Sequence, residues 1–423
     1  MATCASMVSL ERLSFGVGDR FVHQAKAQLQ AFRLLAADGV EVVPVWNKSN
    51  REHSFIGSDP QSVYDAASAA VQELGWNNNW HVDADHIRLE TVDRFLNSSD
   101  FFTIDVADRI NQPASSEKVD AFLERHPELM GAVEIPGILH AFPLNAADVG
   151  AVAAKYLTAV EEAGRVYRHI VAKKGGAKNL IAEVSMDETD AAQTPTDLLV
   201  ILALLNDEGI HLQTIAPKFS GRFNKGVDYV GDIDQFEKEF NDDLAVIAHA
   251  VDRYGLPSNL KLSVHSGSDK FSLYPIIRRA LDRTGAGVHI KTAGTTWLEE
   301  LIGLAESGGD GLHFVKDIYA QALDHVDELC APYATVINID RSLLPSKETF
   351  STFIGTKVAC SIRHIQDHPH FNANIRQLLH VAFKLAAKSG SQFSKLLQKH
   401  EAVVARNVTE NLYQRHLRPL FVG

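Results

Sequence analysis

The chain predicts an α/β protein whose parallel strands close into a (β/α)8 TIM-like barrel, with a helical insertion after the fourth strand and a helical C-terminal extension. Three observations carry this. Eight short apolar segments alternate with helical or loop material, the pattern of a parallel sheet, and eight such units close a barrel. Several of the segments stop at a histidine, an acid or a lysine, as barrel strands do when they deliver side chains to one face. With 423 residues and 45% apolar content, the chain can bury a core of that size. The division expected is a barrel over 1–300, an inserted helical lid over 106–172, and a helical extension over 301–423 that caps the barrel.

Residues 13–19, LSFGVGD, read as the first strand; its glycines permit a tight turn and Arg20 stands at its end. A helix follows over 23–37 until Asp38-Gly39 breaks it. The Val-rich segment 41–46 is the second strand. It runs into NKSNREH at 47–53, a string too polar to bury and so expected at a rim or a site. Residues 62–74 form an alanine-rich amphipathic helix, WHVDADH at 80–86 is the third strand, and FFTID at 101–105 is the fourth. Over 106–172 the pattern turns helical, at 116–126 and 146–171, with no evident strand.

The fifth strand, 180–185, lies within NLIAEVSMDE, and the helix starting near Thr196 carries LLVILALL, apolar all round and therefore buried. The sixth strand, 212–216, leads into PKFSGRFNKGVDYVGD, a loop too long to be a mere connector. A helix over 236–254 ends at Gly255 and Pro257. KLSVHSGSDKF at 261–271 supplies the seventh strand and VHIK at 288–291 the eighth. Beyond Trp297 the chain is helical apart from a short strand expected at 335–339. A doubly wound open sheet is the alternative, but Gly16-Val17-Gly18 lacks the third glycine of a dinucleotide fingerprint and there is no GxxxxGK[ST] loop.

Net charge is −12, from 53 acids against 41 bases, with no basic run interleaved with aromatics, which argues against nucleic acid as a partner. No apolar run approaches the roughly 20 residues that span a bilayer. The first residues, MATCASMVSLERLSFG, carry an early acid and no basic n-region, so a soluble cytoplasmic protein is expected. Cys4, Cys330 and Cys360 are scattered, which argues against a disulfide framework and a thiolate zinc site and predicts free thiols.

WNKSNREH, VDADHI, FFTIDVAD, EVSMDETD, TIAPKFSGRFNKGVDYVGD, HSGSDKFS and KTAGTTWLEE, with RQLLHVAFK further on, resemble the tagaturonate epimerase family of bacterial hexuronate catabolism. The resemblance runs from near Gly16 onward. It implies interconversion of D-tagaturonate and D-fructuronate in the breakdown of galacturonate from pectin, with a divalent metal cation. Imidazole and carboxylate ligands suit Zn, Mn, Co, Ni or Fe.

Chemistry then assigns roles. His86 and His265, each at a strand end beside a carboxylate, are the metal-ligand candidates, and the third ligand is open between Glu183 and His380. His364, His368 and His370 surround Pro369 and read as a solvated loop. Asp85 and Glu183 are the proton-transfer candidates, with Asp83, Asp187 and Glu188 as alternates. Glu183 sits in mid-strand, where a carboxylate is costly unless it is functional or paired, and Lys291 or Lys218 would be its partner. Arg20, Lys48, Lys218, Lys270 and Lys291 follow strand ends and would face an anionic substrate. Asn47, Asn50, Ser266 and Thr292 are candidates for sugar hydroxyls. A class II aldolase or keto-sugar isomerase on the same scaffold, and a non-catalytic sugar-acid binding protein, are the other readings. Homo-oligomerisation is left open.

Overall fold

The computed structural model describes residues 7–187, 189, 191–292 and 294–423. Eight strands form a closed parallel barrel: Leu13–Gly18, Val43–Ser49, His81–Ile87, Phe101–Asp105, Ile181–Ser185, Leu212–Ala216, Lys261–Val264 and Val288–Lys291, numbered one to eight below. Each pairs with its chain neighbour, and the first closes on the eighth in the register Leu13↔Val288 to Gly16↔Lys291. Gly16 leaves room for a close approach there: a Cβ would meet Asn47 Oδ1 at 3.1 Å and the Lys291 Cα at 3.3 Å, so these neighbours would have to give way slightly.

The second strand runs three residues beyond the apolar segment, so the expectation that 47–53 is too polar to bury is corrected. Asn47, Lys48, Ser49 and His53 are buried. Most of their polar groups are met locally: Lys48 Nζ donates to the Arg20 carbonyl at 2.7 Å and to Ser58 Oγ at 2.9 Å, and Asn47 Nδ2 donates to the Thr292 carbonyl, while Asn47 Oδ1 has no donor among the described residues.

Between the fourth and fifth strands lie helix Ser116–Arg125, a small antiparallel hairpin of Gly131–Val133 with Phe142–Leu144, and the long helix Ala146–Lys174. The hairpin corrects the expectation of a strandless insertion; two three-residue strands with Pro143 in one are too short to leave an alternating pattern. The long helix opens with a capping box from Asn145 and Asp148 and buries Val149, Ala153, Tyr156, Val160, Ala163 and Ile170 in the barrel's outer core. It packs against helix Pro195–Asp207, whose buried run Leu198 to Leu205 carries the all-round apolar pattern. Leu10, Val45, Phe101 and Ile181 close the floor of the barrel.

From Thr295–Ser307 onward the chain is helical, with a second apolar core built on Trp297, Leu301, Phe314, Tyr319, Leu379, Phe393 and Val404. Residues 335–339 form no strand; Val336 accepts from the Lys225 amide and the Asn338 backbone pairs with the Gln377 side chain, so this segment's polar groups are met by loops and side chains. The chain then returns to the barrel. A π-helical turn, Asn411–Leu417, packs on helix Ala25–Ala37, and helix Arg418–Phe421 packs on helix Tyr274–Thr284, which places Leu412, Leu417 and Leu420 in the barrel's own apolar core. Among the described residues no helix is long and apolar enough to cross a membrane, and Cys330 and Cys360 are free; Cys4 lies outside the described residues.

Candidate active site

A barrel interior is ordinarily filled with branched apolar side chains. Here its upper layer is ionic. Lys291, on the eighth strand, places its ammonium 2.8 Å from Asp83, 3.0 Å from Asp85 and 2.9 Å from Glu183, and donates to Thr103 Oγ1 at 2.6 Å. All are buried. Glu183 is used on both oxygens, Oε1 also pairing with His265 Nε2 at 2.7 Å and Oε2 accepting from Thr214 at 2.8 Å. Burying five charged groups is costly, and only mutual neutralisation makes it tolerable.

That neutralisation shows in the proton affinities. Burial would drive the Lys291 proton off, but the three carboxylates outweigh it and hold the ammonium well above the usual lysine range. Burial raises Glu183, yet Lys291 and His265 pull it well below the carboxylate range. Asp85 is also lowered against its burial, by Lys291, His86 and His265. Asp83 goes the other way, to about 6, because burial and the neighbouring Asp85 and Glu183 outweigh Lys291.

Above this layer the strand ends open on a cavity of about 340 Å³ lined by Asp85, His86, Asp105, Asp187, His265 and Lys291, with Arg20, Asn47, Arg51, Arg88, Lys225, Ser266, Thr292 and Tyr333 around it. Its size suits a six-carbon sugar acid. His86 and His265 approach edge to face with ring centroids 5.1 Å apart. Among the described residues, His86, Asp187 and His265 each bring one ligand atom within 4.8 Å of the others. The backbone is strained where they sit: His86 has φ 50° and Ser266, next to His265, has φ 52°.

The donor set fits a divalent transition metal. Two imidazoles and a carboxylate leave coordination positions for a ligand's oxygens. His265 Nδ1 is buried without a well-formed hydrogen bond although Asp187 Oδ2 lies 3.3 Å away, and its Nε2 is already held by Glu183, so the free nitrogen faces the cluster. The acids at the site also favour positive charge there. Burial opposes the His86 cation, yet Asp85, Asp105 and Asp187 push its pKa up to about 10. Burial likewise opposes protonated His265, and Asp187 and Glu183 raise it. A bound cation would supply that charge in place of the protons.

The other sequence candidates are distributed as follows. Asp85 reaches the cavity, whereas Glu183 lies beneath it, fully enclosed. His380 is buried apart from the His86 cluster, with Nε2 3.3 Å from Arg20 Nη2; burial and then Arg20 hold its ring well below the usual histidine range. Of the five cations, Arg20 and Lys291 line the cavity. Arg20 is engaged by Glu52 at 3.1 Å and the His380 carbonyl at 2.9 Å. Lys218 donates to the Thr189 carbonyl, and Lys270 donates to the carbonyls of Asn224, Val227 and Ser268 at 3.0, 2.8 and 3.0 Å. Burial brings Lys270 down to about 8. Asn47, Asn50, Ser266 and Thr292 all line the cavity. Glu188 lies outside the described residues. His364 is buried against Asp269 at 3.2 Å, which corrects its assignment to a solvated loop; Asp269 and the packed ring of Phe371 hold it in.

By sequence Asp187 is an alternate for proton transfer, and nothing in the pattern singles out Asp105, Arg88, Lys225 or Tyr333. Asp105 was visible as the acid ending FFTID, and Lys225 lies in the loop already notable for its length.

Comparison with known proteins gives the family and a matching overall fold. A family model described as UxaE, tagaturonate epimerase, matches residues 2–420. The chain is 28% identical over 422 residues to the tagaturonate/fructuronate epimerase of Thermotoga maritima, covering 96% of this chain and 80% of that one. It is also similar to two glycerol-complexed crystal structures of the fructuronate-tagaturonate epimerase UxaE from Cohnella laeviribosi. One has a TM-score of 0.78 at 26% identity, covering 98% of this chain and 82% of that one. The other has 0.80 at 25% identity, covering 98% and 83%.

Proposed function

The chain belongs to the tagaturonate epimerase family, and from that premise we propose that it interconverts D-tagaturonate and D-fructuronate with the help of a divalent metal held by His86, Asp187 and His265. The observation that carries the metal reading is the trio of ligand atoms within 4.8 Å of one another at the barrel mouth. When bound, the metal supplies Lewis acidity to a ketone oxygen and the neighbouring hydroxyl and fixes their orientation.

The two keto acids differ at a hydroxyl carbon β to the ketone, whose C–H is not acidified, so enolisation does not invert it. Retro-aldol cleavage does. Asp85, at the cavity wall, accepts the proton of the hydroxyl on the inverting carbon. The bond to the α carbon breaks, leaving an aldehyde and an enediolate; the aldehyde turns its other face, the bond re-forms, and Asp85 returns the proton. Lys291 holds Asp85 ionised and ready to accept. Glu183 works through His265, fixing its ring by the bond to Nε2. Retention of both fragments until the bond re-forms is what distinguishes an epimerase from an aldolase that releases them.

The test is incubation with D-tagaturonate before and after chelation, with Mn or Zn added back, following D-fructuronate by NMR in deuterated water. Metal-dependent conversion without deuterium in the carbon skeleton is expected. Deuterium at the inverted carbon would keep the epimerase and overturn the retro-aldol route; conversion by stripped protein would overturn the metal.

A further inference from the structure

Resting on the epimerase reading, we propose that the substrate's carboxylate is recognised at the rim of the cavity by Arg51, with the Tyr333 hydroxyl as a second donor. The ligand trio at the strand ends stands among Asp85, Asp105 and Asp187, and a substrate carboxylate placed there would meet like charge. In D-tagaturonate the ketone and the carboxylate lie at opposite ends of the carbon chain. A ketone held at the metal therefore leaves the carboxylate free to reach away from these acids. Arg51, in helix Asn50–Ile56 just past the second strand, and Tyr333, in the C-terminal extension, line the same cavity from two other elements.

Both groups are open to a ligand. The Arg51 guanidinium makes no hydrogen bond or ion pair with a described residue; Glu52, beside it in the chain, is taken by Arg20 at 3.1 Å. Tyr333 is only 6% exposed, and a buried phenol ordinarily finds a partner for its hydroxyl, yet this one bonds to no described residue. Charge gathers around its ring. Arg51 and Lys384 stand 5.9 and 5.7 Å from the ring centre, and Lys384, 4.3 Å from the Phe55 ring centre, forms no ion pair among the described residues. Burial and then Arg51 hold the Lys384 ammonium below the usual lysine range, and Glu328 only partly offsets them. Two cations that repel beside an unused hydroxyl are relieved by an anion, and the planar guanidinium fork suits a carboxylate.

The metal-loaded protein and its Arg51→Gln, Arg51→Lys and Tyr333→Phe variants are titrated calorimetrically with D-tagaturonate and with D-tagatose, in which a hydroxymethyl group replaces the carboxylate. The sugar acid is first incubated to completion with wild-type protein and filtered, so that the later heats report binding alone. Loss of a charged hydrogen bond predicts acid binding weakened about 10- to 100-fold in Arg51→Gln, with tagatose changed by less than about 3-fold and partial recovery in Arg51→Lys. Tyr333→Phe weakens acid binding about 3- to 10-fold. Arg51 is exposed, so Arg51→Gln keeps the wild-type Tm, and in turnover it raises KM with kcat changed much less. Unchanged acid binding in Arg51→Gln, an equal loss for both ligands, or a wild type without preference for the acid overturns the proposal; unchanged acid binding in Tyr333→Phe overturns the second donor. An Arg51-dependent preference for the acid in a protein that leaves tagaturonate unconverted overturns the epimerase reading and leaves the Arg51 assignment standing.

Discussion

Replacing Lys291 by Met keeps the apolar stem of the side chain and removes an ammonium that sits within 3.0 Å of three buried carboxylates. Removing one partner of a buried ion pair costs about 3–5 kcal/mol. Three carboxylates left facing one another would cost more if all stayed charged, but they take up a proton instead, which holds the loss near that range. An unfolding entropy of about 0.9 kcal/mol/K is expected for 423 residues, so a loss of about 4 kcal/mol lowers Tm by about 4–5 °C. The assay is calorimetric melting of Lys291→Met, Glu183→Gln and the double variant, all stripped of metal. Removing the Glu183 charge from Lys291→Met relieves part of the repulsion, so the double variant is more stable than the sum of the single losses predicts, by about 1–2 kcal/mol. An unchanged Tm in Lys291→Met, or simple additivity, refutes the claim that Lys291 neutralises this layer.

Three further outcomes are expected. His265→Ala and His86→Ala lose bound metal on elemental analysis, whereas Asp85→Asn keeps it and loses about 100-fold or more in kcat; metal-replete, active His265→Ala protein removes the ligand assignment. Arg376→Met leaves Asp269 buried beside His364 without its guanidinium and destabilises the protein by about 3–5 kcal/mol, measured by denaturant titration; a loss under about 1 kcal/mol contradicts it. His81, at the start of the third strand, is opposed by burial but raised to about 9 by Asp100 and Glu11. Its folded pKa exceeds the unfolded 6.5, so its contribution is complete below about 6.5 and disappears as pH rises through about 9. After screening by its half-exposed partners it is worth about 2 kcal/mol, and Tm of Asp100→Asn should vary less between pH 6 and 10 than that of the wild type.

The barrel was legible because its strands carry local signals. LQTIA and VHIK are short apolar runs bounded by turns, and both are strands at the expected residues. The strand-end histidines His86 and His265 were legible for the same reason, since the end of a strand fixes which face a side chain joins. The roles of the lysines were not. Lys48, Lys270 and Lys291 all follow apolar segments, yet one bonds a carbonyl and a serine, one clamps a loop and one neutralises the core. What separates them is where the long side chain ends, several bonds from the backbone that the sequence pattern describes. Asp187 met the same limit, because only the loop's path brings it to His265.

The return of the chain to the barrel has a consequence for synthesis. Leu412, Leu417 and Leu420 complete the apolar layer over helices Ala25–Ala37 and Tyr274–Thr284, and Thr409 and Tyr413 bond to Ala27 and Asp38. All eight strands leave the ribosome long before these residues do. The nascent barrel therefore waits with part of its helical wall uncovered, an aggregation-prone interval in which a holdase chaperone has an apolar surface to bind.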